Sequence, residues 1–134
     1  MKKCLQATLV LAIALAWSVS PAWAIKEFND QFKDSYAKEN KNAAFVKLVE
    51  DAKCNVCHIQ GENKKKRNPY GEGVAKLLKK ADFPKERFKN DPKKCKEEIE
   101  AALKKVEDME GKDKVKFGAK IKDGQLPGGN VEGK

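Results

Sequence analysis

AKCNVCHIQG, residues 52–61, holds two cysteines two residues apart and a histidine directly after the second. Such a cluster serves three chemistries: a redox dithiol, a share of a zinc site, or a covalent anchor for a prosthetic group. The surrounding chain decides among them, and it decides the fold as well.

Reading outward, Asn42 is a natural N-cap, and Phe45, Leu48, Val49 and Ala52 fall on one face of a helix that runs into Cys54. Upstream, Phe28, Phe32 and Tyr36 recur at four-residue spacing, the mark of a short helical face. Downstream of His58, GENKKKRN (61–68) has no apolar period and reads as a basic loop. Asn68 then caps and Pro69 takes the first helical position. Tyr70, Val74, Leu77, Leu78 and Ala81 trace the inner stripe of the third helix. Gly71 and Gly73 cost that helix about 1 kcal/mol apiece, and their presence allows something bulky to approach the backbone. Residues 82–90 read as a connector, and Asp91-Pro92 restarts a helix. Its inner face carries Cys95, Ile99, Ala102, Leu103, Val106 and Met109 before Gly111 stops it. A turn of helix near Phe117–Ile121 follows, and QLPGGNVEGK reads as a loose tail. No segment alternates as a strand does, so the expected class is all-α, a single small helical domain.

The first residues follow the secretory pattern: Lys2 and Lys3, an apolar run over Leu9–Trp17, then Pro21 and the small-x-small triplet Ala22-Trp23-Ala24. The run is too short to cross a bilayer, and Cys4 precedes it, so that cysteine leaves with the leader. The expected layout is a cleaved signal peptide at 1–24, a folded domain at 25–122 and a flexible tail at 123–134. Cleavage leaves 110 residues and lowers the formal charge from +9 to +7. No second hydrophobic run follows, so no membrane span is expected. Export to the periplasm or beyond argues against nucleic acid as the partner of a basic chain. The run Lys64-Lys65-Lys66-Arg67 is then either a solvated loop or a surface for an acidic partner protein.

In this setting two of the three chemistries lose ground. A thioredoxin-like dithiol needs βαβ units around it. A structural zinc site needs four ligands, which Cys54, Cys57, His58 and Cys95 supply only by making the adjoining Cys57 and His58 two corners of one tetrahedron. Haem c uses every residue of the motif: two thiols for the two vinyl groups of the porphyrin, and an imidazole placed beneath the ring to reach iron. His58 is the one histidine of the chain.

With the preceding helix, the Cys54-Asn55-Val56-Cys57-His58 motif and the later helices, the sequence resembles the small monohaem c-type cytochromes of class I type. The resemblance implies a cytochrome c-like helical domain around one covalent haem. Cys54 and Cys57 would carry the thioethers and His58 would be the proximal ligand. A backbone carbonyl near Asn68-Pro69-Tyr70 would accept the ring N–H of His58. Phe45, Leu48, Tyr70, Leu77 and Ile99 are expected to cover the porphyrin.

The sixth iron ligand separates the functions. Met109 is the methionine left after export, and it also continues the apolar stripe. Cys95 is the odd cysteine once the motif pair is spent, and it reads as a core residue, as half of an intermolecular disulfide, or as a distal ligand. It falls in the first turn of its helix among Lys93, Lys94 and Lys96, which favour thiolate. A thiolate ligand favours ferric iron and a low potential, and its release on reduction would admit nitric oxide or carbon monoxide. The chain is also similar to the haem c subunits of the heterodimeric His/Cys-ligated cytochrome complex of anammox planctomycetes. That likeness implies His58 proximal, Cys95 distal and a related haem c subunit as partner. The expected function is low-potential electron transfer with redox partner proteins, the alternative is binding or sensing of small gases, and no enzyme activity is expected, because no second histidine serves as a distal acid or base.

Overall fold

Six helices and two 3-10 turns build the chain in a computed structural model that describes residues 26–134. The expected signal peptide lies outside the described residues. The helices are α1 (Lys26–Tyr36), α2 (Ala43–Ala52), α3 (Pro69–Leu77), α4 (Lys85–Asn90), α5 (Pro92–Glu107) and α6 (Phe117–Lys122). Among the described residues there is no strand, only two isolated bridges, so the fold is all-α as the periodicity implies.

Local chemistry starts three of these helices. The side chains of Asn42, Asn68 and Asp91 accept from the backbone N–H groups of Phe45, Gly71 and Lys94. Proline takes the opening turn of α3 and α5, where its missing N–H costs no helical bond. Helix α5 is the spine, and α1, α3, α4 and α6 all pack on it. Its stripe Cys95, Ile99, Ala102, Leu103 and Val106 is buried. Phe32 and Phe117 meet Tyr70 edge-on, with ring centroids 5.7 and 5.3 Å apart, the arrangement aromatic quadrupoles prefer. At the rim of this core the Tyr36 hydroxyl donates to a Glu107 carboxylate oxygen at 2.6 Å, tying α1 to α5.

Three expectations need correction. The connector at 82–90 contains a helix, α4. Arg87 secures it by forking onto both oxygens of Glu98 at 2.6 Å while donating to the Asp82 carbonyl at 2.7 Å. Leu77 is not on an inner stripe: α3 ends there, and its side chain is 39% exposed, with Ala81 exposed in the turn beyond.

The third correction concerns the tail, which is packed rather than loose. Leu126, Pro127, Gly128 and Gly133 are buried. The Gln60 N–H donates to the Glu132 carbonyl at 2.8 Å, and the Asn55 carboxamide donates to the Val131 carbonyl at 3.1 Å. Gly133 has φ +74°, and a Cβ there would fall on the His58 carbonyl oxygen, so only glycine lets the tail lie this close to the Cys54–His58 loop.

Candidate functional site

Helix α2 ends at Lys53, whose φ of +49° lies in the left-handed region. The 3-10 turn Lys53–Val56 follows, and the N–H groups of Cys57 and His58 both reach the Cys54 carbonyl, at 3.2 and 3.0 Å. This tight winding brings Cys54, Cys57 and His58 to the wall of one cavity of about 340 Å³. The structure thus brings together the three motif residues expected to act as a unit.

The loop after His58 folds back, pairing His58 with Arg67 in an antiparallel bridge. The ring Nδ1 of His58 lies 3.3 Å from the Lys66 carbonyl. A carbonyl only accepts, so Nδ1 is the donor in this contact, and in the neutral ring Nε2 is then the nitrogen with the lone pair. The acceptor falls two residues before the stretch expected to supply it, because the bridge, and not the start of α3, faces the ring.

Asn68 holds this arrangement from inside and is 0% exposed. Its Nδ2 donates to the carbonyls of Asn55 and Val56, both at 3.0 Å, and reaches that of His58 at 3.5 Å. Its Oδ1 accepts from the Gly71 N–H at 2.9 Å, and its own N–H donates to the Cys57 carbonyl at 3.1 Å. Sequence reasoning found the cap and missed the clamp, since no local signal tells which carbonyls a carboxamide will meet. Gly71 completes the contact: a Cβ there would fall on the Cys57 carbonyl.

The cavity's apolar wall is Phe28 from α1 with Val74, Ala75 and Leu78 from α3 and its end. Lys64, Lys65, Arg67 and Lys80 contribute to its lining and bring positive charge. Of the residues expected to cover a porphyrin, Phe45, Tyr70 and Ile99 are 0% exposed in the core and do not line the cavity. The 71/74/75/78 spacing was the readable signal for this wall of the cavity.

Cys54 is exposed and Cys57 half-buried, and both are free thiols. Burial first, with the Cys54 charge adding and Arg67 opposing, pushes the Cys57 thiol up to about 12. Cys57 is therefore a neutral thiol at physiological pH, unlike the low-pKa attacking cysteine of a dithiol oxidoreductase. No group of three or more His, Cys, Asp or Glu side chains among the described residues is arranged to hold a metal ion.

The two candidate sulfur ligands lie elsewhere. Cys95 is 0% exposed within the core stripe of α5 and does not line the cavity. Met109 is half-buried against α3 at Gly73, where a Cβ would stand 3.2 Å from its sulfur. At about 100° per residue, Gly73 faces away from the stripe Gly71, Val74, Ala75 and Leu78. Helix α3 therefore stands between Met109 and the cavity.

No protein-family model, no curated protein and no solved structure matches this chain.

Proposed function

We propose that the chain is an exported monohaem c-type cytochrome that passes single electrons, with one covalent haem c held by Cys54, Cys57 and His58. The observation that carries the reading is the donor set: two thiols and an imidazole, its Nδ1 turned to a carbonyl, lining one apolar cavity. Bound there, the iron porphyrin would supply a one-electron ferric/ferrous couple. The chain's own residues do the rest. The Lys66 carbonyl fixes the His58 ring and raises its basicity as a ligand. Phe28, Val74, Ala75 and Leu78 exclude water, and Lys64, Lys65, Arg67 and Lys80 supply cations for the porphyrin carboxylates or for an acidic redox partner. No described helix is long and apolar enough to cross a membrane. Pairing with a related haem c subunit belongs to the same reading.

The test is the purified mature protein. It should be coloured and carry the covalent mass of one haem, which a Cys54→Ala, Cys57→Ala double variant loses. Colourless material with the mass of bare polypeptide would sink the proposal.

A second reading, reversible binding of carbon monoxide or nitric oxide, is favoured by where the sulfurs lie. Neither Cys95 nor Met109 lines the cavity, so either would have to move to occupy the sixth position. Uptake of carbon monoxide by the reduced protein supports this reading, and refusal supports plain electron transfer. Cys95→Ala decides thiolate ligation: an unchanged ferric electron paramagnetic resonance spectrum removes it.

A further inference from the structure

We infer that Asn68 is a positioning residue for His58, setting the ring's bond to the Lys66 carbonyl and through it the properties of the bound iron. The inference rests on the haem reading above.

The geometry goes beyond a helix cap. A capping asparagine needs only its side-chain oxygen, and the oxygen of Asn68 does that work on Gly71. Its amino group has a separate task. It is the meeting point of the carbonyls of Asn55, Val56 and His58, three of the five residues of the motif. Meanwhile the backbone N–H of Asn68 holds the Cys57 carbonyl. The acceptor for the His58 ring belongs to Lys66, two residues before Asn68 on the same returning segment. One residue thus bears on both ends of the Nδ1–H···O bond: its carboxamide holds the backbone that carries the ring, and its backbone follows by two residues the carbonyl that supplies the oxygen.

The tail adds a lid on the same group, since a Cβ at Gly128 would fall on the Asn68 carboxamide. Its enclosure leaves few alternatives for carbonyls that lose the amide, and a buried acceptor without a donor is costly. Loosening the clamp should lengthen the Nδ1–H···O bond, make the imidazole a weaker donor to ferric iron and raise the midpoint potential.

The experiment uses the haem-loaded protein and its Asn68→Ser variant. Serine keeps an oxygen for the α3 cap but is too short to serve the carbonyls of Asn55 and Val56. Asn42→Ala is the control, because it removes a cap of the same kind from α2, where Asn42 bonds Asn40 and Phe45 rather than the motif. The readouts are the midpoint potential and the exchange rate of the His58 Nδ1 proton. In Asn68→Ser the potential should rise and exchange should quicken by about tenfold or more, while Asn42→Ala moves neither. Wild-type values in Asn68→Ser would overturn the inference, as would equal shifts in Asn42→Ala. Should Asn68→Ser fail to accumulate with haem, the wild-type protein still decides. The Asn68 carboxamide protons and the His58 Nδ1 proton should be protected by the same opening, and protection factors, each relative to the free group, that differ by more than about tenfold would overturn the coupling. A colourless wild-type protein is a different failure, that of the haem reading itself.

Discussion

Helix α3 has two sides, and the molecule is held together differently on each. Toward the cavity it presents Gly71, Val74, Ala75 and Leu78, and its start is fastened to the Cys54–His58 loop by Asn68 and by backbone bonds. On other faces it presents Tyr70 to the rings of Phe32 and Phe117, and Gly73 to Val106 and Met109. The core side is packing between side-chain ends, which yield. The cavity side is backbone against backbone with a carboxamide between, and hydrogen-bond geometry leaves it little freedom. The proposed haem site, which would hold the His58 imidazole at a fixed angle, lies on the rigid side.

Two glycines two residues apart on α3 give this contrast its hardest test. In Gly71→Ala the new methyl meets the Cys57 carbonyl, a backbone group anchored by the Asn68 N–H. The expected loss exceeds about 4 kcal/mol and shows as failure to accumulate folded protein. In Gly73→Ala the methyl meets the ends of Met109 and Val106 side chains at 3.2 Å. Alanine also gains about 1 kcal/mol of helix propensity. Thermal unfolding should therefore place Gly73→Ala within about 1 kcal/mol of wild type. Equal losses for the two variants would erase the distinction between the sides.

Next in size is Phe117→Ala, which empties a wholly buried position on the aromatic side. It should cost about 3–5 kcal/mol in denaturant unfolding. With haem bound as proposed, the visible spectrum of surviving folded protein should stay as it was, because Phe117 does not line the cavity. A shifted spectrum would mean that the two sides communicate through Tyr70.

What the sequence disclosed follows the same division. The caps Asn42, Asn68 and Asp91 were legible because each acts on an N–H three residues away. The core stripe of α5 was legible from its period, and Cys95 lies within it. The motif itself is contiguous. Helix α4 was hidden because it has six residues, one aromatic and no capping side chain, and its anchor is the long-range pair of Arg87 with Glu98. The docked tail was hidden because glycine-rich composition reads as looseness, whereas Gly128 and Gly133 are there for close approach to residues some sixty to seventy-five positions away. The cavity wall was hidden for a related reason. Phe45, Tyr70 and Ile99 are apolar and near the motif in helical order, but only packing decides which face of each helix meets the cavity and which meets α5.

The smallest effects come from two tyrosines, and only one of them should destabilise when its hydroxyl is removed. The Tyr36 hydroxyl has a partner in Glu107, so Tyr36→Phe should cost about 1 kcal/mol at neutral pH. The Tyr70 hydroxyl is buried and finds no hydrogen-bonding partner among the described residues. Tyr70→Phe removes that desolvated group and should leave stability unchanged or raise it by about 1 kcal/mol. Burial first, and then in Tyr36 the bond to Glu107, holds both phenols above the ordinary tyrosine value near 10. A folded-state pKa raised in this way gives stability that is whole below about pH 10 and falls as pH rises beyond it, because the unfolded chain loses these protons first. Each Phe variant should therefore flatten the alkaline limb of a stability–pH curve, and the double variant should flatten it most. If Tyr70→Phe destabilises as Tyr36→Phe does, the Tyr70 hydroxyl has a partner, and the core side of α3 contains a polar bond after all.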